Sequence, residues 1–370
     1  MLTSASARPR AYPVTGTHVE LDLAFRAVDV GASTHGRLAE LFHRSWPAYR
    51  SWFLREGLEA RPSYAEGARA LDRWMPELVG TYHGIVDAVG GGDLEARFLS
   101  HWSPPPVATA CSLAAWSYDE RVLVRNYDYP PSLCDTTALA TSWRGTRVLA
   151  MSDCLWGAVD GINAHGLAAA IAFGGRTVVG QGFGIGLVVR YLLQVARDVD
   201  DAIAILRAVP VSMAYNVALV DRRGGAAVVQ VSPDRGTHVL PGVTAANRQG
   251  ATEWAEHAAM SATVEREVVL ERLATSPVTT APELIRSFLA EPLHRDPAGT
   301  PWGTVYTAVY RPDLGTLDLL WPDDAWRLSL HDVVTGERHR RVVSANAHQP
   351  TVHADWIPTQ PQAGLLGHRG

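Results

Sequence analysis

Cys111 stands where a proline-rich stretch, Pro104-Pro105-Pro106, gives way to strand-forming residues that run on to Arg125-Asn126-Tyr127-Asp128. A cysteine at such a boundary is a candidate nucleophile with its own base. If the bond between Ala110 and Cys111 is cut, the thiol and a free α-amine sit on one residue. A free thiol, with a pKa of roughly 8.5, is mostly protonated at neutral pH and needs a base. An α-amine titrates at about 7.7 to 8.0, against roughly 10.4 for lysine, so far more of it is free base at working pH. Lysine does not compete, because all 33 residues counted as Lys+Arg are arginine. That removes Schiff-base, phosphate-loop and Ser-Lys chemistry together.

The elements that must position this residue are legible in outline. Residues 36–56, 64–78 and 94–102 carry apolar positions at three- and four-residue spacing, separated by Arg61-Pro62-Ser63 and Gly90-Gly91-Gly92, and predict an α layer in the first third. The three prolines predict an extended lead-in that presents the Ala110–Cys111 bond on an accessible turn. From Cys111 onward, strands are expected at 111–118, 121–127, 146–151, 156–161 and 166–173. A long helix follows over 184–208, then an antiparallel pair at 215–221 and 226–232, helices at 252–274 and 281–291, and a last hairpin at 304–310 and 316–320. Strands grouped apart from helices argue for layered α and β, not alternating βαβ. The tail after Pro358 is expected to be poorly ordered.

Bulk properties narrow the partners. With 370 residues, 47% hydrophobic and 19% charged, the chain has material for a large core, and a net charge of -5 without a basic cluster argues against nucleic acid or an anionic membrane as partner. The first residues lack an apolar signal region and the longest apolar run, residues 184–196, is interrupted by Arg190, so a cytoplasmic protein is expected. Cys111, Cys134 and Cys154 are too few and too widely spaced for a disulfide framework or a zinc site. No dinucleotide fingerprint occurs, and His331, His339, His348 and His353 lack zinc-helix spacing, so neither cofactor nor metal is expected.

Taken in order, Cys111-Ser112, Arg125-Asn126-Tyr127-Asp128, Gly161-Ile-Asn163-Ala-His-Gly166-Leu167, Asn216-Val-Ala-Leu-Val-Asp221, Thr263-Val-Glu-Arg266 and the 304–317 segment resemble the N-terminal-nucleophile (Ntn) cysteine hydrolases of the linear amide type. The resemblance covers about residues 108–322. It is closest to the acyl-CoA:6-aminopenicillanic acid acyltransferase branch, whose members carry a leading helical segment. It implies an α+β fold, a four-layer αββα sandwich. It also implies a division into a helical pro-segment over 1–110, cut by self-processing but retained as a small subunit, a core over 111–357 and a disordered tail over 358–370.

Carried over residue by residue, the resemblance makes Cys111 the self-cleavage residue and thioester-forming nucleophile. Asp128 becomes the carboxylate that holds the new α-amine, Arg125 a charge beside the sulfur, Asn216 a side-chain donor to the oxyanion and Arg266 a second buried arginine. No acid lies three or four residues from Arg266, so an exposed helical ion pair does not account for it. Arg125 and Asp128 are an odd number apart, so both reach Cys111 only with a bulge or strand end near Asn126. Two departures stand out. Ala110 replaces the family's usual glycine before the nucleophile, and Asn247-Arg248 replaces its Asn-His pair, so Asn247 receives no role. Cys134 and Cys154 match no motif, and Trp116 and Trp156 are candidates to line an acyl pocket.

The expected function is therefore acyl transfer from a small-molecule donor, an amide or an acyl thioester on coenzyme A or a carrier as co-substrate, to an amine or to water. The enzyme's own cleaved segment is its only other expected partner. Two alternatives remain: a catalytically silent binding protein on the same fold, and an unprocessed cysteine hydrolase with a histidine partner, for which His165 is the nearest candidate.

Overall fold

The computed structural model describes residues 19–299 and 302–344. The expected tail and the last residues of the expected core lie outside them. In chain order the elements are β1 (Val19–Gly31), α1 (Arg37–Phe53), α2 (Tyr64–Trp74), α3 (Val79–Ala88), α4 (Asp93–Leu99), β2 (Ala110–Ser117), β3 (Arg121–Asp128), β4 (Thr137–Thr141), β5 (Val148–Asp153), β6 (Gly157–Asn163), β7 (Leu167–Phe173), α5 (Ile185–Val195), α6 (Val199–Ala208), β8 (Tyr215–Asp221) and β9 (Ala226–Ser232). There follow β10 (Gly236–Val239), β11 (Thr244–Ala245), α7 (Ala255–Met260), α8 (Thr263–Thr275), α9 (Ala281–Phe288), β12 (Thr304–Arg311), β13 (Thr316–Trp321), β14 (Asp324–Ser329) and β15 (Gly336–Ser344).

Two sheets face each other. Among the described residues one has nine strands in the order β10-β9-β8-β7-β6-β5-β4-β1-β15, the other six in the order β11-β2-β3-β12-β13-β14. Strands β2 and β3 of the small sheet lie against β7 and β8 of the large one. Helices α5 and α6 cover the outer face of the large sheet, and α8 and α9 that of the small one, which makes the four layers α, β, β, α. Both middle layers are covered on each face, so β6, β7 and β8 are buried at every position and read as continuous apolar runs instead of alternating ones. Hairpins join neighbours through turns whose chemistry is local: Asp221 Oδ1 accepts from the N–H groups of Arg223 and Gly225 across the β8–β9 turn.

Four expectations need correcting. The first third is not wholly helical: residues 19–31 form a long strand, antiparallel to β15 on one side and parallel to β4 on the other. The leading segment is thus built into the large sheet, and α1 to α4 make only part of it. The single helix expected over 184–208 is two, because Ala196 turns extended and Asp198 caps α6 by accepting from the Asp201 N–H. The helix expected over 252–274 is broken at Ala262, whose φ of 49° is left-handed.

The Ala110–Cys111 bond is not on an exposed turn either. Ala110 opens β2, pairs with Asp128 and is fully buried with Cys111. The proline lead-in is extended, but it delivers the chain into the sandwich instead of over it.

Candidate active site

The pairing of β2 with β3 decides what surrounds Cys111. Their register is unbroken from Ala110 opposite Asp128 to Ser117 opposite Arg121. Side chains alternate across a strand, so Cys111 and Leu113 share a face with Tyr127 and Arg125, while Asp128 and Asn126 belong to the other. No bulge lies between Arg125 and Asp128 in this pair; the register shift occurs across β12, between Thr304 and Tyr306. Arg125 and Asp128 therefore reach Cys111 from different sides, Asp128 from the strand end.

On the inner face, Arg125 Nη2 is 3.4 Å from Cys111 Sγ. The guanidinium is aimed by its other contacts: Nε donates to the Ile171 carbonyl at 2.9 Å, Nη1 to Asp160, and the charge lies 4.3 Å from the centre of the Tyr127 ring. Asp160 also accepts from the Tyr306 and Tyr310 hydroxyls. Burial works against the Arg125 charge, yet the thiol, Tyr306 and Asp160 outweigh it and its pKa lies well above the ordinary value. For Cys111 the balance is reversed. Burial pushes the thiol pKa up, and the Arg125 charge beside it only partly offsets this.

On the other side lies the second arginine. Arg266, fully buried in α8, donates through Nη1 to the Cys111 carbonyl at 2.6 Å, to Ser112 Oγ at 3.0 Å and to Asp128 Oδ2 at 3.3 Å, and through Nη2 to Asn247 Oδ1 at 2.7 Å. Asp128 takes a further bond from the Thr304 hydroxyl at 2.7 Å, and its burial raises its pKa while Arg266 and Arg295 pull it down. The Asp128 carboxylate thus reaches the residue whose amine it is expected to hold through Arg266, while the Asp128 backbone hydrogen-bonds the Cys111 thiol and favours its charged form.

The group that touches the Cys111 nitrogen is Asn247, which the sequence reading had left without a role. Its Oδ1 accepts from the Cys111 N–H at 2.9 Å, and its Nδ2 donates to the Phe173 carbonyl at 2.8 Å. Asn216, expected to donate to an oxyanion, spends its amide hydrogens on the carbonyls of Ala246 at 2.8 Å and Arg248 at 3.1 Å. In this arrangement it holds the loop that carries Asn247 and has no donor left for an oxyanion. Arg248 in place of the family's histidine set aside the one signal at Asn247, and a partner 136 residues away gives no other.

A cavity of about 530 Å³ reaches this group of residues, and its wall includes Thr109, Arg125, Tyr127 and Ile171. Helix α1 supplies Phe42, Tyr49 and Trp52 to it, and Cys134, Asp135, Asp153 and Cys154 also line it. Trp116 and Trp156 do not line it: Trp116 packs beneath α8 and α9, and Trp156 donates to the Leu99 carbonyl. His165 lies in the turn after β6, its N–H on Asn163 Oδ1, and is not among the groups around Cys111. Among the described residues no group of three or more His, Cys, Asp or Glu side chains is placed to hold a metal ion, and no helix is long and apolar enough to cross a membrane.

A profile of the family described as "Acyl-coenzyme A:6-aminopenicillanic acid acyl-transferase" matches residues 116–326. The match starts just after Cys111 and takes in Arg125, Asp128, Asn216, Asn247 and Arg266. No curated protein matches the chain. Among solved structures it is similar to a mutant conjugated bile acid hydrolase from Clostridium perfringens, at 12% identity and a TM-score of 0.42 over 62% of this chain and 96% of that one. It is also similar to penicillin V acylase from Agrobacterium tumefaciens, at 12% and 0.40 over 62% and 90%. A third likeness is to the Caenorhabditis elegans ortholog of N-acylethanolamine-hydrolyzing acid amidase, at 13% and 0.39 over 60% and 100%.

Proposed function

Because the chain belongs to the acyl-coenzyme A:6-aminopenicillanic acid acyl-transferase family, a family of enzymes, we propose that it is a self-cleaving cysteine enzyme that carries an acyl group on Cys111 and passes it to an amine or to water. One observation carries this reading: both the sulfur and the nitrogen of Cys111 have buried polar partners, Arg125 at 3.4 Å and Asn247 at 2.9 Å. Any buried strand residue needs a partner for its N–H, but a structural cysteine needs no guanidinium against its sulfur.

In the first stage Sγ attacks the Ala110 carbonyl carbon. The C–N bond breaks, the thiol proton ends on the nitrogen, and an ester of sulfur replaces the peptide. Water then hydrolyses that thioester, leaving an Ala110 carboxylate, a restored thiol and a free α-amine. In the second stage the α-amine takes the thiol proton, Sγ attacks the donor carbonyl, and the leaving group departs with the proton. An amine or water resolves the acyl-enzyme by the reverse steps.

Arg125 favours the thiolate throughout, and the network of Arg266, Asp128 and Asn247 holds the α-amine. The cavity, walled by rings from α1, suits an apolar acyl chain, and no cofactor enters the scheme. The donor is an amide or an acyl thioester. The three cysteines, all free, suit a reducing compartment, the cytoplasm.

The test is intact mass under denaturing conditions for the parent and its Cys111→Ala variant. Two fragments that meet between Ala110 and Cys111 are expected from the parent and one whole chain from the variant. A parent that stays whole after prolonged incubation overturns the α-amine mechanism. Incubating the cut enzyme with acyl donors, with and without an added amine, then separates transfer from hydrolysis by the ratio of amide to free acid.

A further inference from the structure

We propose that His257 is a positioning residue for the cutting of the Ala110–Cys111 bond, holding the upstream side of the cut site by the carbonyl of Thr109. The proposal rests on the self-cleavage put forward above and names the group that makes it possible.

His257 lies in α7, fully buried, with its ring centre 5.1 Å from those of Phe173, Trp254 and Trp302. Its Nε2 is 3.0 Å from the Thr109 carbonyl oxygen. A carbonyl only accepts, so Nε2 carries the hydrogen and Nδ1 is the bare nitrogen. That nitrogen is buried without a hydrogen-bond partner among the described residues. Burial lowers the imidazole pKa to about 4 against the opposing Thr109 bond, with Arg266 and Arg295 adding to the drop. The ring is a neutral, fixed donor at any working pH.

The backbone of the same residue links it to the other side of the cut. The His257 carbonyl accepts from Ser261 Oγ at 2.7 Å, and Ser261 Oγ is 2.6 Å from the hydroxyl of Thr263, the first residue of α8. One turn on, Arg266 donates to the Cys111 carbonyl at 2.6 Å. The carbonyls of residues 109 and 111 are therefore both held by the α7–α8 unit, and the carbonyl between them, that of Ala110, is the electrophile. With both flanking peptide planes fixed, the Ala110 carbonyl has little freedom to swing away from Sγ. Thr109 Oγ1 lies 3.9 Å from that sulfur, so residue 109 is itself at the reaction centre.

This matters more here than with glycine before the nucleophile. The Cβ of Ala110 narrows the conformations open to the peptide, and an N-to-S shift needs the sulfur near the carbonyl carbon at about 3 to 3.5 Å.

The experiment follows cutting in cell-free translation, where time zero is defined, by intact mass at intervals for the parent and for His257→Gln, His257→Asn and His257→Phe. A glutamine amide reaches the place of Nε2, an asparagine amide stops short of it and phenylalanine donates nothing. Gln is expected to cut within a few-fold of the parent. Asn and Phe are expected to cut at least about tenfold slower, tending to the roughly hundredfold that a misplacement of about 1 Å costs. The parent and the Gln variant should share one pH profile of cutting between pH 5 and 8.

Each variant is also made in the Cys111→Ala background, where thermal melting reports folding without cutting. Asn or Phe chains that fold and cut as fast as the parent overturn the proposal. So does a folded Gln variant that cuts as slowly as Phe, or one whose pH profile loses an inflection present in the parent, which would make the imidazole an acid or base. A parent that never cuts sinks the self-cleavage reading itself, a result distinct from all of these.

Discussion

The thiol of Cys111 lies between two opposing influences, a desolvated site that favours S–H and an arginine that favours the thiolate. Arg125→Leu removes the second. A cation beside the sulfur stabilises its charged form, so losing it raises the thiol pKa and moves the pH of half-maximal alkylation of the mature enzyme upward, by about 1 unit or more. Alkylation by iodoacetamide across pH 6 to 10 measures it, and an unmoved midpoint would show that Arg125 serves packing alone. Arg125→Lys should fall short of the parent as well, because one ammonium cannot meet Ile171, Asp160 and the sulfur at once. The alternation of residues along β3 made the split between Arg125 and Asp128 readable in advance. The contact of Asn247 was not: it stands where the family has the asparagine of its Asn-His pair, but Arg248 in place of the histidine set that signal aside, and nothing else near it announces a partner 136 residues away. The partners of Asn216 were equally hidden: an asparagine opening a strand looks the same whether its amide serves an oxyanion or, as in this arrangement, the carbonyls of Ala246 and Arg248.

At the scale of elements, β1 is the informative case. Val19, Leu21, Leu23, Phe25 and Ala27 alternate strictly with other residues, and Leu23, Phe25 and Ala27 are buried; the pattern is that of a strand, and assigning the whole first third to helices overlooked it. Strands β14 and β15 were missed because they are edge strands in which charged residues break up the apolar alternation, as Asp324 and Arg327 do in one and Arg338, Arg340 and Arg341 in the other. The hairpins β8–β9 and β12–β13 were legible because their turns are spelled out locally by Asp and Gly. Pairing of β1 with both β4 and β15 predicts that the leading segment stays bound after cutting. The two fragments should co-elute in native size exclusion and separate only in denaturant; release of the smaller piece under native conditions would contradict it.

For the molecule as a whole, layered α and β followed from strands grouped apart from helices and the four layers from the family resemblance, whereas the cavity did not, since its wall draws on α1, the residues before β2 and the loop beyond β5. That wall contains a pair of carboxyls facing Tyr49. Burial and the neighbouring Asp153 push Asp135 up to about 7, and burial likewise raises Asp153. Asp135 thus keeps its proton in the folded chain over a range in which the unfolded chain, with its ordinary value of 3.8, has released it, and Asp153 is shifted in the same direction. The contribution of Asp135 to stability is thus complete below about pH 4 and is lost as pH rises through about 7. Asp135→Asn keeps a partner for Tyr49 without the charge. Thermal melts of the variant should therefore decline less than those of the parent between pH 5 and 8, and parallel curves would mean that the pair titrates alike in both states.

The strand β1 has a consequence for the life of the enzyme. While the chain is whole, closing the large sheet is an intramolecular event, independent of how many copies are present. Once the bond at 110–111 is cut, the same closure joins two molecules, and its rate falls with dilution. On the proposed self-cleavage, a cut enzyme that lost its fold would recover it only by an encounter, and cutting would make assembly a one-way passage: the precursor would fold, and the product would persist chiefly by not coming apart.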